Sequence, residues 1–208
     1  IAQVASTSFL LVVHPSLPAT GVKQFIALAR ARPGAINFGS TGTGGSTHLV
    51  MEYFKLATQV ELAHIPYKGT GPAMTDLMAN QVDLMCDQTT NTSGQIESGK
   101  IKVFAVTTPK RLTTPVLAKL PTMDESGMPG FEATPWFGMA MRAGTPREVV
   151  NRLNSELLKV LRMPEIRDRI TALGADVVGS SPEEFAAFVR EEARVTAKVI
   201  RESGAKFD

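Results

Sequence analysis

Along this chain, short runs of β-branched and apolar residues alternate with stretches whose apolar positions recur every three to four residues. The strand-like runs stand at Phe9 to His14, Ile36 to Phe38, Leu62 to Ile65, Val82 to Cys86 and Lys102 to Thr107. Between them the spacing predicts helices over 20–31, 46–57, 71–79 and about 90–98. Strand, loop, helix and strand on a beat of roughly twenty residues predict a parallel α/β sheet with right-handed crossovers.

The pattern changes at Thr108. The proline-rich stretch 109–135 cannot be continuous helix or central strand, because each proline removes a backbone donor and clashes inside a helix. It reads as a connector that leaves the first sheet. Trp136 to Met141 then reads as a strand, and "GTPREVVNRLNSELLKVL" as a helix with Thr145 at the N-cap, Pro146 at the first helical position and Glu148 closing a capping box. A second helix starts near Pro164 and stops at Gly174, "ADVVG" follows as a strand, and Ser181, Pro182 and Glu184 open a long last helix by the same device. No internal repeat or low-complexity segment interrupts this order.

Composition narrows the function classes. With 208 residues, 43% of them hydrophobic, the chain can bury one sizeable core or two modest ones. Lys and Arg total 22 against 20 for Asp and Glu, with no long run of one sign, so neither a nucleic-acid stripe nor a polybasic membrane patch is indicated. Small-molecule or protein partners are favoured. One cysteine excludes an internal disulfide framework and a cysteine-rich metal site. Cys86, at the end of an apolar strand with no base close in sequence, reads as buried and inert. The three histidines lack close metal spacing. The longest apolar run, Phe9 to Val13, is too short to span a bilayer, and no basic-then-apolar leader opens the chain. The protein is then either cytoplasmic or stripped of a leader.

The main candidate chemistry lies in "INFGSTGTGGSTHLV", a strand running through a glycine-rich loop into a helix. Gly39, Gly44 and Ser46 nearly make a phosphate loop, but Gly45 replaces the lysine that neutralises a triphosphate. The dinucleotide fingerprint also fails, since Thr47 stands where a third glycine belongs and the next strand ends in Pro66 and Tyr67 rather than an acid. What remains is a loop of Ser40, Thr41, Gly42, Thr43, Gly44, Gly45 and Ser46 at a helix N-terminus, whose free N–H groups and dipole favour an anion. A carboxylate can be satisfied by such neutral donors. The plainer alternative is a glycine turn that merely starts a helix. Two further loops follow strand ends: "PYKGTGPA", with Tyr67, Lys68 and the amides of Gly69 to Gly71, and "DQTTNT", with Asp87, Gln88 and Thr89. In an open parallel sheet they would converge on one crevice. His48 reads equally as a ligand contact or a helix-packing residue. His14 and His64 read as structural, Lys68 as a ligand-binding cation that neutralises a carboxylate or as a solvated loop cation, and Trp136 and Phe137 as anchors of a strand between domains.

The series "INFGSTGTGGSTHLVMEYF", "AHIPYKGTGPAMTDLMANQVDLMCDQ", "SGKIKVFAVTTPKR", "LPTMDESGMPGFEATPWFGMAMRAGTP" and "LGADVVGSSPEEF" closely resembles the substrate-binding proteins of tripartite tricarboxylate transporters, the Bug-family receptors. The resemblance runs over almost the whole chain, in order. It implies an α/β type II periplasmic-binding-protein (Venus flytrap) fold with one complete parallel α/β domain and the carboxyl part of a second. Residues 1–14 would be a crossing strand and hinge, 15–131 the domain with the ligand loops, and 132–208 the carboxyl-terminal part of the other domain. The match is residue by residue at Gly39, Ser40, Gly42, Gly44, His48, Pro66, Tyr67, Lys68 and Gly69. By resemblance, Ser40 to Ser46 and His48 supply one half of the site, with Tyr67 and Asp87 nearby.

The implied function is that of an extracytoplasmic, periplasmic receptor. It would take up a small organic carboxylate (a di- or tricarboxylate, an amino acid or an aromatic acid) and deliver it to membrane permease subunits. The full-length protein would be monomeric, with no cofactor, metal or nucleic acid. Cys86 departs from the aromatic residue expected before Asp87. Family members begin with a further stretch that supplies the opposite jaw, so the chain resembles an amino-terminally truncated receptor, and exposed apolar surface is expected on 132–208. Two alternatives are a ligand-sensing domain of the same fold and a hydrolase using Ser40 or Ser46 with His48 and Asp87. Against the latter, the G-x-S-x-G elbow is absent.

Overall fold

Residues 2–13 form one extended run that is divided at Ser8 between two sheets. A computed structural model describes residues 1–113 and 117–204. β1 (Ala2–Thr7) belongs to a three-stranded sheet, and β2 (Phe9–Val13) to a five-stranded one. The chain continues through α1 (Val22–Ala31), β3 (Asn37–Ser40), α2 (Ser46–Thr58), β4 (Ala63–Pro66), α3 (Thr70–Met78), β5 (Leu84–Gln88), α4 (Thr89–Glu97) and β6 (Lys102–Val106). After the proline-rich connector come β7 (Trp136–Met139), α5 (Arg147–Arg162), α6 (Pro164–Ala172), β8 (Ala175–Val177) and α7 (Pro182–Ser203).

The larger sheet has the order β4-β3-β5-β2-β6. β3 pairs parallel with β4 and β5, as the alternating pattern predicts. β2 departs from that expectation, because it runs antiparallel to both β5 and β6. It enters this sheet from the smaller one, whereas β6 leads the chain back to β7, so the entering strand must oppose the strand that leaves. All five residues of β2 are buried. Phe9, Leu11 and Val13 pack with Phe25 of α1 and Phe54 of α2, while Leu10 and Val12 pack on the other face with Met74 and Leu77 of α3. Burial on both faces explains why β2 reads as a continuous apolar run rather than an alternating one.

In the smaller sheet β1 lies between β7 and β8, antiparallel to each. The Trp136 ring meets Phe185 and Phe188 of α7 edge-on at 5.6 and 5.5 Å, and its Nε1 donates to Glu192 at 3.1 Å. Trp136 is thus the anchor expected of it, whereas Phe137 is exposed. The large apolar residues left exposed among the described ones lie between Phe137 and Val195, where the resemblance led exposed apolar surface to be expected.

The two predicted capping boxes have different outcomes. At α7, Ser181 Oγ accepts from the Glu184 amide at 3.2 Å, and the Glu184 carboxylate accepts from the Ser181 amide at 2.8 Å. At α5 the N-cap is Pro146, and the Thr145 hydroxyl donates instead to the Arg142 carbonyl at 2.9 Å. The preceding turn has captured that hydroxyl, and no side chain caps this helix.

Gly138 on β7 faces the buried Phe185 ring so closely that an added Cβ would overlap it. Gly138→Ala is therefore expected to cost about 1–3 kcal/mol through overpacking. Urea denaturation checks this, and an unchanged midpoint would refute the close packing of α7 on this sheet.

Candidate functional site

The loops that follow β3, β4 and β5 stand side by side, because those strands are neighbours and parallel. The register pairs Ser40 with Pro66 on one side of β3, and Gly39 with Met85 on the other. The Tyr67 amide donates to the Ser40 carbonyl at 3.0 Å. Gly42 lies so close to the next loop that a Cβ there would stand 3.6 Å from the Tyr67 carbonyl oxygen.

The glycine loop folds on its own side chains. The Thr41 amide donates to Thr47 Oγ1 at 2.9 Å, Gly42 to Ser40 Oγ at 3.2 Å, and Gly44 to His48 Nδ1 at 3.0 Å. Gly45 donates to the Gly42 carbonyl at 3.2 Å. Gly42 and Gly44 take φ of 142° and 78°, a region that side-chain-bearing residues rarely adopt. These bonds leave the amides of Thr43, Ser46 and Thr47 without an acceptor among the described residues. Thr43 and Ser46 are exposed. Gly45, the N-cap of α2, offers no side chain to satisfy them. In the adjacent loop Gly69 is likewise the N-cap of α3, and the amides of Gly69, Thr70 and Gly71 have no acceptor among the described residues. Two helix N-termini therefore open at the same end of the sheet, α2 on one face and α3 on the other, and Lys68 in the loop before α3 is exposed.

Tyr67 forms a wall of this site. Its hydroxyl donates to Asp76 Oδ2 of α3 at 2.7 Å, and its ring packs over Gly39. Burial and the Asp76 carboxylate push the phenol up to about 12.

The third loop turns inward. Asp87 is only 1% exposed, and its Oδ1 accepts from the Gln88 amide at 2.8 Å and from Asn91 Nδ2 at 3.1 Å. Its Oδ2 is buried with no hydrogen-bond partner among the described residues. Burial pushes this carboxyl above the ordinary range, against those two bonds. The Thr89 hydroxyl lies 2.7 Å from Thr7 Oγ1 and donates to the Gly174 carbonyl at 2.9 Å. The structure thus sets the Ser40 to Ser46 loop against Tyr67, with Lys68 exposed in the same second loop, and buries Asp87 in the neighbouring β5.

His48 is buried under the glycine loop rather than displayed on it. Its ring stacks on His64 of β4 with centroids 3.9 Å apart, and His64 stacks on Phe38 at 4.9 Å. His64 Nε2 lies 2.7 Å from Ser40 Oγ, so the residue read as merely structural touches the loop. The parallel register that sets Phe38 beside His64 was the signal for this contact. Ser40 is fully buried against His64 rather than His48, and Asp87 bonds to Gln88 and Asn91, so the Ser40 form of the hydrolytic trio does not assemble. Cys86 is buried and its thiol is pushed well up, as expected of an inert core residue.

The family model described as tripartite tricarboxylate transporter family receptor matches residues 1–205. The chain belongs to that receptor family. Its members are binding proteins rather than enzymes. The chain is similar to the solved structure titled "R. palustris Rpa4515 with adipate", with a TM-score of 0.88 and 36% identity, covering 97% of this chain and 67% of that one. It is also similar to the periplasmic binding protein BugD, with a TM-score of 0.86 and 39% identity, covering 98% of this chain and 68% of that one. A relative from Pseudomonas sp. strain P51, encoded in the tcbD-tcbE intergenic region, is 36% identical over 199 residues, which are 95% of this chain and 59% of that protein. The chain therefore spans about three fifths to two thirds of the length of these relatives. No helix among the described residues is long and apolar enough to cross a membrane.

The raised Asp87 carboxyl makes a signed prediction for this receptor-family chain. The folded state holds that proton more tightly than the unfolded chain, so the cost of the buried charge is absent at low pH and grows as pH rises through the folded value. The stability of Asp87→Asn relative to the parent is expected to be lowest at about pH 4 and to climb towards about pH 8. Paired thermal midpoints across that range check it, and a pH-independent difference would refute the burial of a charge at this position.

Proposed function

We infer that this chain forms the ligand-loop jaw and hinge of a periplasmic solute receptor, and that the loop Ser40 to Ser46 holds a carboxylate of a small organic acid. The observation that carries this reading is the pair of open helix N-termini at α2 and α3, whose first amides have no acceptor among the described residues. Among the described helices only α7 carries a side-chain cap, and what sets the open ends of α2 and α3 apart is that they follow the carboxyl ends of adjacent parallel strands. The adipate named with the R. palustris neighbour is an acid of the class that such donors suit. Across the three loops Lys68 is the only cation, which favours one or two carboxylates over three.

In this reading residues 15–131 are the ligand-loop domain, 132–208 are the carboxyl part of the other domain, and 1–14 with the returning connector are the hinge. The facing jaw corresponds to the part of its relatives that the chain does not match. The acid bridges both jaws, and contacts made only when they close stabilise the closed form. The closed receptor, a monomer at full length, then presents a surface to the permease subunits.

Ser46→Pro is the selective test. Ser46 is the first residue of α2, and Gly45 before it is extended with φ −69° and ψ 165°, so proline fits both positions while deleting one amide donor and one hydroxyl. The thermal midpoint is expected to stay near that of the parent, while calorimetric affinity for adipate or malate falls about tenfold or more. An unchanged affinity would overturn the loop assignment. Failure of every acid in a panel of mono-, di- and tricarboxylates to bind the parent would overturn the receptor reading itself.

A further inference from the structure

Beneath the glycine loop lies a stacked imidazole pair, His48 buried and His64 partly so, with a defined hydrogen-bonding task. The Gly44 amide donates to His48 Nδ1 at 3.0 Å, which requires a lone pair on that nitrogen. The His48 proton therefore resides on Nε2, which faces Glu52 Oε1 at 3.5 Å. Glu52 is itself buried and takes Lys55 Nζ at 2.8 Å. The His64 ring covers the His48 ring at 3.9 Å with an interplanar angle of 8°, and its Nε2 meets the Ser40 hydroxyl. That hydroxyl in turn lies 3.2 Å from both the carbonyl and the amide of Gly42. Two of the loop's glycines are thus fixed, directly or through Ser40, by the two rings.

We propose that His48 and His64 are positioning residues that keep the glycine loop in its anion-binding conformation only while both rings are neutral. A proton added at His48 Nδ1 would set one N–H against another and release Gly44. A proton on His64 would set a charge against the face of its buried neighbour, and two charged rings at this separation would repel strongly. The described charged groups that act on the pair are Glu52 and Lys55 from α2 and the facing ring itself. β3 offers only the neutral Ser40, and α7, which packs on α2, places none of its described charges among them. Burial, with His48 next in weight, holds His64 down at about 4. Burial also lowers His48, although Glu52 opposes it. Both folded-state values lie below the ordinary one, so the folded loop is favoured at neutral pH and loses that advantage as the pH falls through the acid range. The two rings titrate as a coupled pair.

The test reads the loop directly. Long-range proton–nitrogen spectra of the histidines and hydrogen exchange of the Gly44 amide are followed from about pH 8 to about pH 4. The expected result is His48 protonated on Nε2 at neutral pH, and a Gly44 protection factor that falls at least about tenfold as the pair takes up a proton. In His48→Asn the carboxamide oxygen reaches the Nδ1 position without titrating, so Gly44 should stay protected into the acid range. His48→Gln carries its oxygen one bond too far and should leave Gly44 unprotected at every pH. His48 protonated on Nδ1, full Gly44 protection in His48→Gln, or an acid-side loss in His48→Asn equal to that of the parent would each overturn the proposal. The link to binding rests on the receptor reading. Calorimetry with adipate should show an acid-side loss of affinity in the parent that His48→Asn lacks. Gly44 protection that follows the pair, in a protein that binds no acid, would support the positioning role and overturn the receptor reading alone.

Discussion

One extended run, residues 2–13, has to serve as an inner strand of two sheets, and the placement of the binding loops follows from that constraint. β1 is hydrogen-bonded on both sides by β7 and β8, and β2 on both sides by β5 and β6. The break falls at Ser8, where the Thr89 amide donates to the Ser8 carbonyl and the Phe9 amide finds Thr107 Oγ1. The returning chain is clasped to the same point: Thr7 donates to the Pro135 carbonyl, Ala133 to that of Thr107, and Thr107 Oγ1 to that of Ala133. Two passages between the sheets therefore lie together, tied by threonine hydroxyls and backbone bonds rather than by interlocked apolar side chains. Because β2 enters where β6 leaves, the strands parallel to β6 carry their carboxyl ends, and the loops that follow them, towards the smaller sheet.

At those ends the helices differ in how their first amides are satisfied. α4 has no side-chain cap, but its first amide, that of Thr89, donates to the Ser8 carbonyl. α7 is closed by Ser181 and Glu184. α2 and α3 begin at glycines that offer nothing. Unsatisfied first-turn donors are tolerable only where water or a ligand can reach them, and Thr43 and Ser46 are exposed. The buried and incompletely bonded Asp87 is the opposite case, a charge held out of water at a cost in stability.

Local features were legible in the sequence, and features set by distant partners were not. The spacing placed α1 to α4 to within about two residues because apolar periodicity is local. The glycine loop announced itself because positive φ demands glycine at Gly42 and Gly44. The direction of β2 was hidden because it depends on a crossing completed some 130 residues later, at β7. The role of His64 was hidden for the same reason: it faces His48 only once β3 and β4 pair in register. Thr145 shows a different failure, in which a correct capping signature lost its hydroxyl to a neighbouring carbonyl. Asp87 was placed at the right strand end, but its inward orientation depends on Asn91 and the start of α4.

Neutral donors alone make a weak anion site in water, where each amide exchanges one partner for another at little net gain. Their advantage lies in rigidity, because a donor already fixed in direction loses little freedom when the anion arrives. Here the fixing comes from beneath and from the flank. Thr41, Gly42 and Gly44 spend their amides on Thr47, Ser40 and His48, which holds the remaining amides of Thr43, Ser46 and Thr47 in place. α2 is in turn packed by α7, which also contacts β1 and whose Phe185 and Phe188 grip Trp136 of the smaller sheet. The helix that presents the amides is thus joined to both sheets, through its own strands and through α7. On the proposed reading, a carboxylate at its N-terminus would meet a frame that extends across the crossing point, from which it could bias the relative position of two bodies.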